Sequence, residues 1–431
     1  MKFHLALTTA KLAHLGIKLL NKSSGTTFCG KLALTICPDF LKHCPKYITK
    51  DIVTVTGTNG KSTTSGLVAH ILHTAHQKVA HNLEGANLLT GFANVFALNI
   101  KPFRKFDYSV LECDEAYLTK LYDFINSDYL VVTNIFKDQV DRYSNINVTA
   151  NYIKDAINKN PNLKLVLNAD DPTVASFSKN AIFYGLDSVE YENTPNLNTE
   201  IFKCDCSNQL TYTKQIFAHQ GHYYCEKCGF KRPECKYSAD VKVFENFSIL
   251  NVKTNGMNFE FKVNLVGVYN AYNALASIAL AFELGLNQQD IQKAFNTYRT
   301  LWGRGEKRII NGNEVLIQLI KNPVGANEVL KTVDLNTNII VAINNNTGDG
   351  TDISWLNETN FEQIKNAQKM VIASGSKANN MAERLKKAGV THDKIQVIPD
   401  LKKAIKIASD NGKTTVLPTY TALLSIKNEG K

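Results

Sequence analysis

The chain has 431 residues, of which 44% are hydrophobic and 20% are charged. These values are typical of a globular protein of two or three domains, and no apolar run approaches the roughly eighteen residues of a membrane span, which excludes a membrane-embedded protein. The formal net charge of +10 favours an anionic partner. It does not choose among a nucleotide, a nucleic acid and an anionic membrane surface.

The first twenty residues, MKFHLALTTAKLAHLGIKLL, are predicted to form an amphipathic helix because their leucines recur at roughly helical spacing. We expect this leucine face to pack on the body of the protein rather than on a membrane. Lys11, His14 and Lys18 interrupt the apolar run and no small-residue cleavage site follows, so we expect no secretory signal and a cytoplasmic chain. The leucines of the predicted face are Leu5, Leu12, Leu15, Leu19 and Leu20.

A phosphate-binding loop is predicted in residues 51–66, DIVTVTGTNGKSTTSG, although Val55 stands where the general pattern G-x-x-x-x-G-K-[ST] has its first glycine. The β-branched residues before the turn predict a buried strand, and the apolar spacing after it predicts a helix. Backbone N–H groups and the positive end of the helix dipole favour an anion at such a place. Gly57 and Gly60 would let the backbone approach the phosphates.

The residues after this turn have the chemistry that a nucleotide triphosphate needs. Lys61 would reach the β- and γ-phosphates, and the hydroxyl of Ser62 or Thr63 would ligate Mg²⁺. The segment LECDEAYL (111–118) follows an apolar stretch and clusters three carboxylates, which are hard oxygen ligands of the kind that Mg²⁺ requires. A solvated acidic turn after a strand is the alternative interpretation of this segment.

Nine cysteines without an export signal argue against a disulfide framework and for a metal site. The pairs Cys204-x-Cys206 and Cys225-x-x-Cys228-Gly resemble a zinc ribbon, in which four thiolates form a closed, structural site. Zinc ribbons often bind nucleic acid, but this one interrupts an enzyme-like domain, so we expect it to build a surface and to bind no nucleic acid. The alternative ligands are Cys235, His219 and His222.

The loop TGTNGKSTT resembles the phosphate loop of the Mur ligase family, which includes the peptidoglycan Mur ligases and folylpolyglutamate synthase and does not require the leading glycine. Enzymes of this family use ATP to convert a carboxylate into an acyl phosphate, which an amine then attacks. The other motifs that resemble the family, in the family's order, are LECDEAYL, LVVTNIFKDQVDRYS (130–144), LNADDP (167–172), LVGVYNAYNALAS (265–277), WGRG (302–305) and KNP (321–323).

The resemblance implies roles for individual residues. Glu112 matches the family's magnesium-ligating glutamate, and Asn270 is expected to contact the adenine. Gln139 stands where many Mur ligases have a metal-binding histidine, and Lys154 falls roughly where several carry a carbamylated lysine. The ATP-binding residues implied are Gly57, Thr58, Asn59, Gly60, Lys61, Ser62, Thr63, Asn270, Arg304 and Lys321, with Ser62 and Glu112 as the magnesium ligands.

Two departures narrow the resemblance to one branch of the family. The segment before the phosphate loop is shorter than the domain that holds a UDP-sugar in the peptidoglycan Mur ligases, and the cysteine-rich segment interrupts the central domain. The stretches HNLEGANLLTGF (81–92) and NNNTGDGTDISWLN (344–357) are similar to segments of the branch that forms the ligase-like subunit of lipid II isoglutaminyl synthase. By this resemblance, the substrate contacts are Asn82, Glu84 and Asn87.

The same resemblance implies a reaction and a partner. ATP would phosphorylate the α-carboxylate of D-glutamate in the lipid II stem peptide, and ammonia would convert it to D-isoglutamine. No cysteine here lies in the G-x-C-x-G elbow of a glutaminase, so a separate GatD-like glutaminase subunit is expected to form a heterodimer with this chain. An aspartate of DGTDISW would serve catalysis by orienting the partner's histidine, with Asp349 the first candidate and Asp352 the second. Turn-forming aspartates are the alternative interpretation. The lipid-linked substrate implies a peripheral position at the inner membrane face.

Alternating strand and helix patterns predict an α/β fold with mostly parallel sheets. By resemblance, a Mur-ligase-like central P-loop domain with a Cys₄ zinc-ribbon insertion is followed by a smaller Rossmann-like α/β C-terminal domain. The predicted domains are an N-terminal helical segment (1–50), a central domain (51–303, with the ribbon at 199–237) and a C-terminal domain (304–431), with a hinge near Gly303–Gly305. The strands predicted in the last domain are 339–344, 370–374, 395–399 and 414–418.

Two other functions are compatible with parts of the sequence. A stand-alone amino acid ligase like folylpolyglutamate synthase shares the phosphate-loop, magnesium and hinge motifs, but it does not predict the cysteine pairs or DGTDISW. Such an enzyme would add a free amino acid, and activity of the chain with only ATP and glutamate would favour it. A zinc-ribbon NTPase that acts on nucleic acid is the other alternative, and it would bind DNA or RNA in a salt-dependent manner.

Overall fold

The computed structural model describes residues 1–19, 27–82, 86–101, 104–136, 146–191, 202–244, 246–299, 304–346 and 348–427. The chain forms two compact units. The first comprises Met1–Ile135 and Asn147–Arg299, and the second comprises Phe136–Ile146 and Thr300–Lys431. None of the helices in the described ranges combines the length and apolarity that a membrane span requires.

The first unit is built on a long, mostly parallel sheet. Its strands lie in the order β11-β10-β9-β6-β5-β4-β1-β3-β2, and β7 and β8 form a separate hairpin. The strands are β1 (Ile52–Thr56), β2 (Val79–His81), β3 (Tyr108–Glu112), β4 (Tyr129–Val132), β5 (Lys164–Asn168), β6 (Ile182–Tyr191), β7 (Thr211–Phe217), β8 (Gln220–Tyr224), β9 (Tyr237–Val243), β10 (Ser248–Thr254) and β11 (Met257–Val263).

The central strands β1, β3 and β4 are buried along their whole length. Strands covered on both faces are expected to be continuous apolar or β-branched runs, as IVTVT and YLVV are. Strands β1 to β6 and β9 all run parallel to one another, whereas β10 and β11 add an antiparallel edge. In a sheet of this kind, ligands bind beyond the carboxyl ends of the strands.

Helices cover this sheet, and α3 (Lys61–Thr74) packs on β1, β3 and the helix α8 (Val268–Glu283). α3 follows the turn after β1, as the sequence predicts. The helices of this part of the chain are α1 (Lys2–Leu19), α2 (Phe28–Ile36), α3 (Lys61–Thr74), α4 (Leu89–Asn99), α5 (Leu118–Leu121), α6 (Ile146–Lys159), α7 (Pro172–Ala175), α8 (Val268–Glu283) and α9 (Gln288–Thr297).

The predicted helix at the start of the chain is confirmed, but its predicted packing face is wrong. α1 buries Phe3, Ala6, Leu7 and Ala10, and it packs on α2 and α4. The leucines expected to pack on the body are exposed instead, Leu5 by 58%, Leu12 by 63%, Leu15 by 57% and Leu19 by 86%, and Leu20 lies outside the described residues.

The second unit is a smaller α/β domain. Its sheet has the order β12-β13-β17-β14-β15-β16, and all neighbours are parallel except β12 and β13. Its elements are β12 (Arg304–Ile310), β13 (Asn313–Gln318), α10 (Pro323–Lys331), β14 (Asn338–Ala342), α11 (Trp355–Glu358), β15 (Val371–Ser374), α12 (Ala378–Lys387), β16 (Ile395–Val397), α13 (Leu401–Asp410), β17 (Thr414–Pro418) and α14 (Tyr420–Ser425).

Alternate residues of β14 enter two different cores of this unit. Ile339 and Val341 pack with α10, α11 and α12 on one face, and Ile340 and Ala342 pack with α13 and α14 on the other. This division follows from the two-residue period of side chains along a strand. The four strands predicted here are confirmed to within two residues as β14, β15, β16 and β17.

Candidate active site

The glycine-rich turn between β1 and α3 is shaped so that only glycine fits at two positions. Gly57 has φ +121° and Gly60, the N-cap of α3, has φ +84°. A Cβ at Gly57 would lie 2.3 Å from Thr133 Oγ1, and one at Gly60 would lie 2.1 Å from Asn273 Oδ1. The turn therefore brings backbone N–H groups and the start of a helix to the carboxyl end of β1, the arrangement that binds anions in proteins.

The residues that follow β4 hold this turn in place. The backbone N–H of Asn59 donates to Asn134 Oδ1 at 2.9 Å, and Asn134 Nδ2 donates back to the Asn59 carbonyl at 3.0 Å. Thr133 Oγ1 donates to the same carbonyl at 2.7 Å, and the Thr58 N–H donates to the Asn134 carbonyl at 2.8 Å. Asn134 matches a family motif in the sequence, but nothing in the sequence predicts that it braces the phosphate loop.

Lys61 is buried at the start of α3 and is paired with Glu115. Its ammonium lies 2.9 Å from Glu115 Oε1 and also donates to the carbonyls of Gly57 and Thr58. Burial acts to lower the pKa of Lys61, but Glu115, Asp114 and the nearby Glu112 outweigh it and raise that pKa to about 12. A phosphate that entered the loop would compete with Glu115 for this ammonium.

Glu112 ends β3 beside the phosphate loop and is buried. Asn82 fixes its backbone, since Asn82 Oδ1 accepts from the Glu112 N–H at 2.8 Å and Asn82 Nδ2 donates to the Glu112 carbonyl at 2.8 Å. Asn82 is fully buried and thus positions Glu112. Its predicted contact with the substrate stays a prediction, as does that of the half-buried Asn87, and Glu84 lies outside the described residues.

Helix α8 reaches the phosphate loop through Asn273. Its Oδ1 accepts from Thr64 Oγ1 at 3.3 Å, and its Nδ2 donates to Asn270 Oδ1 at 3.4 Å. Asn270 also donates to the Val266 carbonyl at 2.8 Å. The adenine contact predicted for Asn270 stays a prediction.

The turn LNADDP is buried in the first unit, and its two aspartates form hydrogen bonds with several other segments. Asp171 caps α7 and accepts from the Ile135 N–H at 2.8 Å. Asp170 accepts from Arg232 Nε at 2.6 Å, Tyr272 Oη at 2.7 Å and a backbone N–H at 2.7 Å. Burial raises the pKa of Asp170, and the Arg232 charge opposes this rise. Asp170 therefore links α8 to the segment that follows the cysteine-bearing hairpin.

The four paired cysteines converge at the base of the β7–β8 hairpin. Their sulfur atoms all lie within 4.8 Å of one another. Cys204 Sγ is 3.5 Å from Cys228 Sγ, and Cys206 Sγ is 3.5 Å from Cys225 Sγ. Tetrahedral zinc with Zn–S bonds of about 2.3 Å places its sulfur atoms about 3.8 Å apart, so this set fits a zinc ion. The pKa of the Cys225 thiol is lowered to about 6, mainly because its sulfur accepts a hydrogen bond from the backbone N–H of Cys228.

The other proposed ligands lie elsewhere. His219 stacks on Phe202 and points Nε2 at Asp171 Oδ2, 3.4 Å away, while His222 Nε2 is 2.8 Å from the Leu186 carbonyl. Cys235 is outside the cluster that the described residues form.

The β7–β8 hairpin also forms hydrogen bonds with the LNADDP turn. The Gly221 N–H donates to the Asp170 carbonyl at 2.9 Å, and Tyr223 Oη donates to the Ala169 carbonyl at 3.0 Å.

The remaining predicted residues lie on α6, in the second unit or outside the described ranges. Lys321 directly precedes Asn322, which caps α10, and Arg304 begins β12. Lys154 lies on α6, with its ammonium 5.8 Å from the centre of the Phe177 ring. The predicted motif residues outside the described ranges are Asp138, Gln139, Asp141 and Arg142.

The two candidate aspartates of the second unit differ in their surroundings. Asp349 is buried and binds the start of α14, where the Thr421 N–H donates to Oδ1 at 2.7 Å and Thr421 Oγ1 donates to Oδ2. Asp352 is half-buried and accepts from the Ser354 N–H at 2.7 Å and from Ser354 Oγ at 2.6 Å. Asp349 thus fixes the fold of its loop, whereas Asp352 bonds within its own turn.

Comparison with known proteins identifies the family. Residues 55–281 match the Mur ligase middle domain, and residues 319–423 match the domain described as MurT ligase C-terminal. The chain is 35% identical over 443 residues to the lipid II isoglutaminyl synthase (glutamine-hydrolyzing) subunit MurT of Streptococcus pneumoniae, covering 99% of this chain and 96% of that subunit. The chain belongs to the MurT family of Mur ligases.

A second relative supports membership of the MurT family, and a solved structure shows the same fold. The MurT subunit of Staphylococcus aureus is 34% identical over 427 residues, covering 97% of this chain and 95% of that subunit. The solved structure of a pseudomurein peptide ligase type C from Methanothermus fervidus has a TM-score of 0.68 at 24% identity and covers 90% of this chain and 81% of that one. The branch of the Mur ligase family predicted from the sequence is therefore confirmed, as are its central and C-terminal α/β domains.

Proposed function

We propose that this chain is the ligase subunit of a glutamine-hydrolysing lipid II isoglutaminyl synthase. It activates the α-carboxylate of D-glutamate in the lipid II stem peptide with ATP, and ammonia converts the activated carboxylate into the amide of D-isoglutamine. The observation that carries the proposal is the similarity, over nearly the whole of both chains, to MurT subunits that bear this name.

The phosphate loop supports ATP and Mg²⁺ as the groups bound. Gly57 and Gly60 leave a cradle that a Cβ would fill, and α3 begins directly behind it. The Ser62 hydroxyl in the first turn of α3 and the Glu112 carboxylate at the end of β3 are hard oxygen donors that would hold Mg²⁺. Bound Mg²⁺ neutralises charge on the phosphates.

The residues of the chain would then position the reactants and stabilise charge. Lys61 offsets the negative charge that develops on the transferring phosphoryl group, and Arg304 and Lys321 add to this effect. Asn270 contacts the adenine. In the second step the ammonia nitrogen attacks the carbonyl carbon of the acyl phosphate, the carbon–oxygen bond to phosphate breaks, and the nitrogen loses its extra proton to solvent.

We also propose that Cys204, Cys206, Cys225 and Cys228 hold a structural zinc ion. The sulfur spacing and the four-thiolate set support zinc, and a site closed by four thiolates leaves no position open for catalysis. The hairpin contacts Asp170 and Asp171. A zinc ion that holds the base of the hairpin would therefore also stabilise the turn after β5.

A separate glutaminase subunit supplies the ammonia in this proposal. The names of the relatives support it, because they describe a subunit of a glutamine-hydrolysing enzyme. Asp349 is the first candidate and Asp352 the second for the residue that orients the partner's catalytic histidine. The heterodimer would act at the inner face of the cell membrane, where a lipid-linked substrate lies.

The proposal is tested by co-expressing the chain with a candidate glutaminase and following amidation of lipid II by mass spectrometry. We expect product with ATP, Mg²⁺ and glutamine, and also with ammonium chloride in place of glutamine. Lys61→Ala should abolish product from both donors, and Lys179→Ala, at an exposed lysine, should not. Ligation of free glutamate by the chain alone, or ATP hydrolysis stimulated by nucleic acid, would contradict the proposal.

A further inference from the structure

The exposed face of α1 carries a stripe of leucines that the other described residues leave largely uncovered. We define the leucine face as Leu5, Leu12, Leu15 and Leu19. At 3.6 residues per turn these side chains fall within about 80° of the helix circumference and extend over about 21 Å of its length. They lie opposite the face that packs on α2 and α4, so this surface has no part in the core of the first unit.

Positive charge surrounds the leucine face. Its helix, KFHLALTTAKLAHLGIKL, contains no acidic residue, and Lys2 and Lys18 are exposed. Lys11 donates a hydrogen bond to the carbonyl of Ile100, which places α1 beside the end of α4. The exposed basic residues that follow α4, Lys101, Arg104 and Lys105, we define as the basic group.

We propose that the leucine face and the basic group together bind the surface of an anionic phospholipid bilayer. A leucine stripe flanked by lysines is typical of a helix that lies in the interface plane of a membrane, with its apolar side chains below the headgroups and its cations among them. The inference deepens the proposed function, since it places the enzyme where its lipid-linked substrate lies. Membrane binding can be measured on its own, without measuring the amidation of lipid II.

A second copy of the chain fits this surface less well than a bilayer does. Pairing two leucine faces would bring the lysines of one helix close to those of the other, and α1 offers no carboxylate to offset the repulsion. An anionic bilayer would bury the leucine side chains and attract the lysines at the same time.

The test is sedimentation of the purified full-length chain with lipid vesicles. We expect binding to vesicles of phosphatidylcholine mixed with phosphatidylglycerol, and much weaker binding to phosphatidylcholine alone. Leu12→Gln/Leu15→Gln should reduce partitioning by about tenfold or more, because both side chains leave the interface. Met257→Gln, at an apolar residue that is exposed elsewhere in the first unit, is the matched control and should bind like the wild type.

The basic group has its own test. Replacing Lys101, Arg104 and Lys105 by glutamine should weaken binding to the anionic vesicles by about fivefold per residue and make it less sensitive to salt. Wild-type chain that does not sediment with anionic vesicles, or a leucine variant that binds as well as wild type, would overturn the proposal. So would a wild-type dimer in light scattering that the leucine variant converts to a monomer, since a second copy would then be the occupant.

Vesicle binding and the proposed reaction fail independently. If the chain does not amidate lipid II, sedimentation still reports whether α1 binds lipid. If the chain does amidate lipid II, the leucine variant should lose activity on lipid II in vesicles. It should keep activity on lipid II in detergent micelles, because that reaction does not require binding to a bilayer. Equal loss of activity in both would argue for damage to the fold and against this role for α1.

Discussion

Lys61 and Glu115 form a buried ion pair inside the candidate phosphate site. Desolvation makes such a pair costly to break from one side, because the remaining charge is left buried without a partner. The same ammonium is the group expected to bind the nucleotide phosphates, so Glu115 and the phosphates compete for it. We therefore expect Glu115 to influence how readily the loop accepts a nucleotide.

Glu115→Gln should separate these two effects. The variant should be less stable than wild type by on the order of 1–3 kcal/mol, because Lys61 loses its charged partner. A nonhydrolysable ATP analogue with Mg²⁺ should raise its melting temperature by more than it raises that of wild type, because no carboxylate competes for the ammonium. Differential scanning calorimetry with and without the analogue measures both quantities.

Glu190→Gln is the matched control, since Glu190 forms an exposed ion pair with Lys242 on the same sheet. Exposed pairs contribute little, so neither stability nor the response to the analogue should change. A smaller response in Glu115→Gln than in wild type would show that Glu115 assists nucleotide binding, contrary to this expectation.

His81 gives the first unit an acid-sensitive residue. It ends β2 and is half-buried, and burial lowers its pKa to about 4 from an ordinary value of 6.5. Between these two pH values the unfolded chain binds a proton that the folded chain does not. The free energy of unfolding should therefore fall as the pH is lowered through this window, by on the order of 2 kcal/mol.

Denaturant unfolding of wild type and His81→Gln at a series of pH values checks this. The variant should lose part of the pH dependence between about pH 6.5 and pH 4, since glutamine does not titrate. His392→Gln, at an exposed histidine, should keep the wild-type profile. Identical profiles for wild type and His81→Gln would contradict the assignment.

The residues of the site divide into those that a sequence can predict and those that it cannot. Gly57 and Gly60 are predictable because their role follows from local backbone geometry between a strand and a helix. The positioning roles of Asn134 and Asn82 are not, because each contacts a segment far along the chain. Their role becomes visible only when the parallel strands bring the carboxyl ends of β1, β3 and β4 together.

At the scale of elements, the hydrophobic spacing of α1 predicts a helix but not the side that is buried. The leucine face is also apolar, yet the helix packs through Phe3, Ala6, Leu7 and Ala10. Burial is decided by what the neighbouring helices can accommodate. Periodicity measures one element alone and cannot contain this information.

A prediction at the scale of elements concerns the hairpin of β7 and β8 and the four cysteines at its base. Cys225→Ser should remove the zinc ion and reduce the stability of the first unit by on the order of 3–5 kcal/mol, because a loosened hairpin would withdraw Arg232 from the buried carboxylate of Asp170. Elemental analysis of the purified chain and thermal unfolding measure the two effects. Cys235→Ser should keep both the zinc and the stability, since Cys235 lies outside the cluster. Zinc retained by Cys225→Ser would contradict the proposed site.

At the scale of the whole molecule, the sequence predicts the kind of fold better than its strand order. The strands β14 to β17 are recognisable as apolar runs bounded by turns, and their parallel pairing follows from the helices between them. The place of β17 between β13 and β14 is not recognisable in the same way. It depends on pairing between distant segments, which leaves no local pattern.

The proposed function distributes its residues over both units. Lys61 and Glu112 belong to the first unit, and Lys321, Asp349 and Asp352 belong to the second. Lys321 would serve the ligase reaction with Lys61 and Glu112, whereas Asp349 and Asp352 would serve the glutaminase, so substitutions at different residues should impair the two activities separately. Ammonium chloride replaces the partner's product, so it reports the ligase reaction alone, whereas glutamine reports both.

Asp349→Asn is expected to abolish amidation with glutamine, by at least about a hundredfold, and to preserve amidation with ammonium chloride, because an amide cannot stabilise the partner's histidine as a carboxylate does. Since Asp349 also binds Thr421 at the start of α14, a change in the loop could mimic this result. Thr421→Val removes the hydroxyl and keeps the carboxylate, so it should retain glutamine-dependent activity to within a few-fold. Asp352→Asn should also retain it. Loss of activity in Asp352→Asn with retention in Asp349→Asn would transfer the role to Asp352, and equal loss in Thr421→Val would make the effect of Asp349 structural.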